Sequence, residues 1–128
     1  MPALLLALAP AAAPEPGAID AADRRAILNA LRAPIERQLG KPVEFVVTAM
    51  RGERGWVFVQ AEPQRPSGRK INGRAYFPED WEYMDGLTTT AILHKRAKRW
   101  RIRAMKIGAL DAWYCSYLPA NQFDPCKP

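Results

Sequence analysis

The chain has 128 residues, enough for one hydrophobic core, and its 48% hydrophobic residues, 25% charged residues and net charge of +6 are typical of a basic globular protein. One histidine and two cysteines are too few for a Cys/His zinc finger, an all-cysteine iron–sulfur site or a multi-histidine metal centre. The sequence contains no phosphate-binding loop, no Gly-x-Ser-x-Gly elbow and no Gly-x-Gly-x-x-Gly motif, so we expect no cofactor, no metal and no assigned catalytic residue.

Residues 1–13 are predicted to be a signal peptide. The apolar run at 3–9 is too short to span a bilayer, which needs about 20 apolar residues, but it suits the core of a secretory signal. Small-x-small cleavage patterns follow at 9–11 and 11–13, although no lysine or arginine precedes the run. We therefore expect an exported protein, periplasmic or secreted, without a transmembrane segment. The alternative is an Ala/Pro-rich tail, continuous with the Ala/Pro linker predicted at 14–19.

An amphipathic helix is predicted from about Ala21 to Leu39. Apolar residues recur there at spacings of three and four, at Ile27, Leu28, Leu31, Ile35 and Leu39. Asp20 is suited to be the N-cap residue, and Gly40 is a natural helix stop. Pro34 lies inside the pattern, where its missing amide hydrogen predicts a kink.

Two β-hairpins are predicted after the helix, with a long loop between them. The four strands are predicted at Val43–Met50, Trp56–Glu62, Leu87–Lys95 and Arg99–Ile107. Turns at 52–55 and 97–98 join them in pairs. The loop, 63–85, has three prolines, two glycines and mixed charge, with a short strand expected around 71–76. The predicted fold class is α+β, with the N-terminal helix packed on an antiparallel four-stranded sheet in one domain, 20–118.

The two cysteines, Cys115 and Cys126, are predicted to form a disulfide. An even number of cysteines fits an oxidising compartment, and only one intramolecular pairing is possible. The bridge would tie the proline-rich tail, 119–128, to the domain. Two free thiols are the alternative.

Five short segments carry a resemblance to known proteins: Arg25–Arg32, Pro42–Val47, Gly55–Val59, Arg99–Ile102 and Ile107–Gly108. Over about residues 24–115 they resemble small exported bacterial proteins of unknown function. The order of elements is similar to that of the cystatin-like and nuclear-transport-factor-like rolls, in which a helix packs in the curl of an antiparallel sheet. Those folds host inhibitors, ligand pockets, a few enzymes and adaptors, so the resemblance implies a fold and no functional residue is carried over.

The net charge comes from the second predicted hairpin. Residues 86–107 carry seven basic side chains and no acidic one, whereas the rest of the chain is close to neutral. Six of these cations form a candidate anion- or partner-binding surface: Lys95, Arg96, Lys98, Arg99, Arg101 and Arg103. Guanidinium groups offer paired donors to phosphate or carboxylate. The predicted function is therefore a small non-enzymatic binding domain whose partner is an acidic envelope component or another protein.

Strand alternation predicts which way these side chains point. Arg99, Arg101 and Arg103 should share one face, with Trp100, Ile102 and Ala104 directed into the core. Met105 and Ile107 fall at the same alternating positions as these arginines, so either a β-bulge or a half-buried second face is expected there. Nucleic acid is not an expected partner, because no recognised binding motif accompanies the charge. The alternative is a solvated face partly paired with the acidic segment 79–85. The oligomeric state is not indicated.

Two further functions stay open. One is a ligand-binding roll with a pocket between helix and sheet. The other is an enzyme that uses His94, the only histidine, as a general base beside Asp85 or Asp111. The aromatic side chains of the long loop fit either packing against the sheet or stacking on a ligand.

Overall fold

The computed structural model describes residues 18–128. The predicted signal peptide and most of the predicted linker lie outside the described residues. The main elements are α1 (Ala21–Leu39), β1 (Glu44–Glu53), β2 (Trp56–Gln64), β3 (Thr89–Arg96) and β4 (Arg99–Ile107). A short helix, α2 (Gly73–Tyr76), lies between β2 and β3, and 3-10 turns occupy Pro66–Gly68, Trp81–Tyr83 and Trp113–Ser116. Within the described part of the chain, no helix is long and apolar enough to cross a membrane.

Helix α1 has the bounds that its periodicity predicts. The carboxylate of Asp20 accepts a hydrogen bond from the backbone amide of Asp23 at 2.7 Å, which satisfies one of the free amides of the first turn. The helix continues through Pro34 and ends at Gly40, whose positive φ of 75° favours glycine. One stripe of the helix is fully buried against the sheet: Ile27, Leu31, Ile35 and Leu39.

The sheet has the order β1-β2-β3-β4, and all neighbouring strands are antiparallel, so the predicted α+β class is confirmed. Each hairpin closes with two residues of positive φ, Arg54-Gly55 and Ala97-Lys98, the geometry that matches the twist of paired strands. Gly52 lies in β1 rather than in the predicted turn. Both turns lie at one end of the sheet, where Asp23 of α1 also meets β3 and β4. We call this end of the domain the turn end.

The face of the sheet that α1 covers, the inner face, holds the main core. Ile27 and Leu31 pack on Val57, Val59 and Leu93 near the middle of the sheet. Farther from the turns a second cluster joins α1 to the long loop, and contains Ile35, Leu39, Val43, Leu87, Ile71, Phe77 and Trp81. Burying each such large side chain contributes about 1.5–3 kcal/mol, so the helix and the loop are held to the sheet chiefly by apolar contacts.

Arg65, the first residue after β2, closes the end of α1. Its guanidinium donates hydrogen bonds to the carbonyls of Leu39 at 2.6 Å and Gly40 at 2.8 Å, and to the hydroxyl of Tyr76 at 3.0 Å. The carbonyls at the end of a helix have no partner within it. Arg65 thus satisfies those groups and links α1 to the long loop.

The prediction of a strand around 71–76 is wrong, because residues 73–76 form helix α2 and the two residues before them belong to no strand. Gly73 at its start is buried, and the ring of Trp81 lies where a β-carbon would be. The close approach of Trp81 to the glycine backbone is a tertiary contact, which a local strand pattern does not reveal. The Trp81 side chain therefore packs in the fold, whereas Tyr83 is exposed.

The C-terminal tail covers part of the opposite, outer face of the sheet. Phe123 is buried against Phe58 and Ile92, with Tyr114 stacked on Phe58 at a ring-centroid distance of 4.4 Å. Cys115 and Cys126 lie at disulfide distance, with their Cα atoms 5.2 Å apart. The tail is therefore a packed layer of the domain, and the turn end of the outer face stays open beside it.

Candidate anion-binding surface

The predicted alternation along β4 is confirmed at the turn end of the strand. Arg99, Arg101 and Arg103 are exposed, whereas Trp100 and Ile102 are half-buried and pack against the core beneath α1. Trp100 is less buried than expected, because it lies at the open end of the inner face. The three arginines thus share the outer face, next to the area that the tail covers.

A β-bulge at Arg103 explains the rest of the strand. Ile102 pairs with Leu93 and Ala104 pairs with Ile92, so Arg103 has no partner residue in the ladder. The extra residue changes the phase of the strand and turns Met105 toward the core beneath α1. The bulge is confirmed, but the prediction that Ala104 points into that core is wrong. Its ladder partner Ile92 packs with the outer-face cluster, and paired residues share a face.

Trp56 and His94 form a flat aromatic pair beside the arginines. They are cross-strand partners in β2 and β3, and their rings stack with centroids 4.0 Å apart and planes 13° from parallel. The Arg103 guanidinium lies 5.8 Å from the Trp56 ring centroid, within the range of a cation–π interaction. Arg101 is the partner of His94 in the next strand. The outer face at the turn end thus combines three arginines with two stacked rings.

The surroundings of His94 favour its neutral form. Burial, and then the positive charges of Arg96 and Arg103, hold the pKa of His94 below its usual value. Its Nδ1 atom is buried and has no hydrogen-bond partner among residues 18–128. None of the hydrogen bonds in this part of the chain joins His94 to Asp85 or Asp111, the carboxylates that a general-base role would require. An anion beside His94 would favour the protonated ring.

Lys95 does not belong to this surface. Its alternation with His94 and Arg96 puts it on the inner face, where its Nζ donates to Asp23 Oδ1 at 2.9 Å. Trp100 Nε1 donates to the same oxygen at 2.9 Å. These hydrogen bonds, first from Trp100 and then from Lys95, lower the pKa of Asp23. Lys95 therefore acts in the structure as a link between β3 and α1.

The other cations of the hairpin lack the acidic partners in segment 79–85 that the alternative, a solvated and partly paired face, would require. Within residues 18–128 the ion pairs are Arg51–Glu53, Arg74–Glu82 and Lys95–Asp23. Glu82 of the acidic segment is thus bound to the long loop and not to the hairpin. Arg96 and Arg99 are directly opposite each other, an arrangement of like charges that destabilises a strand pair. The hairpin retains this repulsion and leaves its guanidinium groups available to an external anion.

One pocket of the described chain lies away from this surface. It has a volume of about 380 Å³ and is lined by Glu62, Pro63, Gln64, Lys70, Ile71, Trp81 and Leu87. It opens beneath the long loop rather than between α1 and the sheet, where the roll hypothesis expects a pocket. A smaller depression of about 250 Å³ lies at the turn end, near Asp23 and Trp100.

One group of side chains has the spacing of metal ligands. Ligand atoms of Cys115, Asp124 and Cys126 lie within 4.8 Å of one another. The two sulfur atoms lie at disulfide distance, and a disulfide leaves neither as a thiolate. We therefore interpret this group as the point where the tail is joined to the domain, and not as a metal site.

Comparison with models of known protein families found no match. Comparisons with curated proteins and with solved structures found none either. The resemblance to small exported bacterial proteins and to the cystatin-like rolls therefore stays a prediction from the sequence.

Proposed function

We propose that the chain is a small exported, non-enzymatic binding domain that binds an anionic partner through the outer face of the β3–β4 hairpin. The observation that carries the proposal is the row of exposed arginines on β4, which has no acidic partner among the described residues. Arg96, opposite Arg99, extends the row to the next strand.

The chemistry of the surface suits phosphate or carboxylate groups. Each guanidinium presents paired donors in a plane, and the hydrogen bonds that it makes to an anion are charge-assisted. The Trp56–His94 pair adds a rigid floor beside Arg101 and Arg103. Because the surface is exposed, its attraction for an anion should weaken strongly as salt rises.

Export is the second part of the proposal. The apolar run at 3–9 and a cysteine pair at disulfide distance support it, since disulfides persist in oxidising compartments. The protein recovered from its host should begin between about Ala12 and Ile19. Intact Met1 on protein from the cytoplasm would contradict export.

The binding proposal is tested with two variants that lose the same charge. The first, Arg99→Gln/Arg101→Gln/Arg103→Gln, removes the row on β4. The matched control, Arg37→Gln/Lys41→Gln/Arg69→Gln, removes three exposed cations near the end of α1 and in the long loop. Heparin, a polyanionic polysaccharide, is immobilised on a column. The salt concentration at which the protein elutes should fall for the first variant and fall much less for the control. Equal shifts would show that only net charge matters, and would overturn the assignment of the surface.

A second candidate function is favoured by the 380 Å³ pocket beneath the long loop. Its apolar wall, with Trp81, Ile71 and Leu87, and its Glu62 and Lys70 side chains suit a small amphipathic ligand. Such a ligand would raise the thermal midpoint of the wild type but not that of Lys70→Ala and Glu62→Gln variants. A library of small amphiphiles that stabilises none of these proteins would exclude this candidate.

A further inference from the structure

We infer that the anionic partner is the surface of a phospholipid bilayer, and that the domain meets it through its turn end rather than through the outer face of β4 alone. This inference rests on the proposed function and names the partner and the orientation. It depends on how the fold gathers charges that are far apart in the sequence.

Three elements bring cations to the turn end. Exposed side chains come from the first turns of α1, from the turn between β1 and β2, and from the β3–β4 hairpin: Arg24, Arg25, Arg54, Arg96, Lys98 and Arg99. Only the last three belong to the basic segment that the sequence reveals. A helix start and two strand turns thus build one cationic end, with Arg101 and Arg103 on its flank.

The acidic groups at the turn end are already engaged within the protein. Asp20 caps α1, and Asp23 accepts hydrogen bonds from Lys95 and Trp100. Glu53 pairs with Arg51 at 3.6 Å. At the opposite end, the acidic residues of the long loop offset its lysines and arginines. The domain is therefore polarised along the strands, with its excess positive charge at one end.

The spread of these cations fits an extended planar anion better than a small one. They come from separate elements and do not converge on the depression at this end, since Arg54 is the only one of the six that lines it. An anionic bilayer attracts each nearby lysine or arginine independently. Trp56 and Trp100 are both half-buried at this end, each with a cation 5.8 Å from its ring centroid, and tryptophan is favoured at the level of the headgroups.

The apolar surface indicates adsorption to the headgroups without insertion into the bilayer. Within residues 18–128 the exposed large hydrophobic side chains are Val46, Tyr76, Tyr83, Leu110 and Tyr117. None of them belongs to the first turns of α1 or to either hairpin turn. Binding through the turn end therefore depends on charge, and should be reversible and sensitive to salt.

The test uses vesicles of phosphatidylcholine with and without 30 mol% phosphatidylglycerol, with heparin as the soluble polyanion. The key variant is Arg24→Gln/Arg25→Gln/Arg54→Gln, which leaves the β3–β4 hairpin intact. Each lost cation should weaken binding about fivefold, so the triple variant should bind the anionic vesicles about a hundredfold less tightly. The Arg37→Gln/Lys41→Gln/Arg69→Gln control should lose less than about threefold, as should Lys106→Gln on the outer face of β4. If the Arg54 change lowers the thermal midpoint, the double variant Arg24→Gln/Arg25→Gln replaces the triple variant in the vesicle-binding test.

The outcomes separate this inference from the proposed function. If the β4 arginine variant loses vesicle binding and the α1 and β1–β2 variant does not, the end-on orientation is wrong and the hairpin surface stands. If the wild type binds heparin but not the anionic vesicles, the bilayer is the wrong partner. If it binds neither heparin nor the anionic vesicles, the inference and the proposed function both fail. If it binds both kinds of vesicle alike, the inference fails, while salt-sensitive binding to heparin leaves the proposed function standing.

Discussion

The bond between Trp100 and Asp23 gives the sharpest stability prediction. Trp100→Phe keeps most of the packing of the ring but removes the Nε1 donor that lies 2.9 Å from Asp23 Oδ1. A hydrogen bond to a charged group contributes about 1.5–3 kcal/mol, and the partly exposed site reduces this to about 1–2 kcal/mol. Trp100→Ala should cost about 2–4 kcal/mol, because half-buried packing is lost as well.

The pH dependence of this effect has a definite sign. The hydrogen bonds that Asp23 accepts lower its pKa, so their stabilisation is present above the unfolded-state pKa and is lost as pH falls through the lowered folded-state pKa. Urea unfolding should therefore show a deficit for Trp100→Phe at pH 7 that shrinks under strongly acidic conditions. In a double-mutant cycle, Asp23→Asn and Trp100→Phe should not be additive. Additive effects, or a deficit that pH does not change, would mean that the hydrogen bond from Trp100 to Asp23 does not stabilise the fold.

Three other perturbations have expected outcomes. Arg65→Leu should lower the free energy of unfolding by about 2–3 kcal/mol in urea titrations, because it leaves the last carbonyls of α1 without donors; a neutral result would mean that water replaces the guanidinium. Replacing Cys115 and Cys126 by serine should cost about 2–3 kcal/mol and keep the far-ultraviolet spectrum, and reductant should add two hydrogens to the intact mass of the wild type; an unchanged mass would mean free thiols. Changing the three exposed β4 arginines to glutamine should leave the thermal midpoint nearly unchanged, whereas unfolding would mean that they serve as internal partners.

Local patterns account for much of the fold. The spacing of apolar residues predicts α1 from end to end, because burial of one helix stripe and the Asp20 cap are both local features. The turn at 97–98 also follows from the sequence. The break in alternation at Met105 is compatible with a bulge or with a half-buried second face, and the register of β3 and β4 shows the bulge. Helix α2 does not follow, because the contact of Gly73 with Trp81 is set by tertiary packing.

The candidate site is only partly predictable. The arginines of β4 lie in one strand, so their common face follows from alternation alone. The stacking of Trp56 on His94 depends on the register between β2 and β3, and the long loop that joins those strands does not fix a register as a tight turn does. Strand alternation could have placed Lys95 and Arg96 on opposite faces of the sheet. The partner of Lys95, Asp23, lies on a helix far away in the sequence, so that contact could not be predicted. Phe123 of the tail covers Phe58 on the outer face, and no periodicity in the sequence indicates that contact.

The salt dependence of anion binding is the direct test of the arginine row on β4. The measurement is the dissociation constant for immobilised heparin from low to physiological salt, for the wild type, the β4 triple variant and the matched control. We expect the β4 variant to bind more weakly and with a shallower dependence on salt, while the control keeps nearly the slope of the wild type. If all three proteins have the same affinity and slope at low salt, the arginine row only keeps the domain soluble, and the proposed binding surface is wrong.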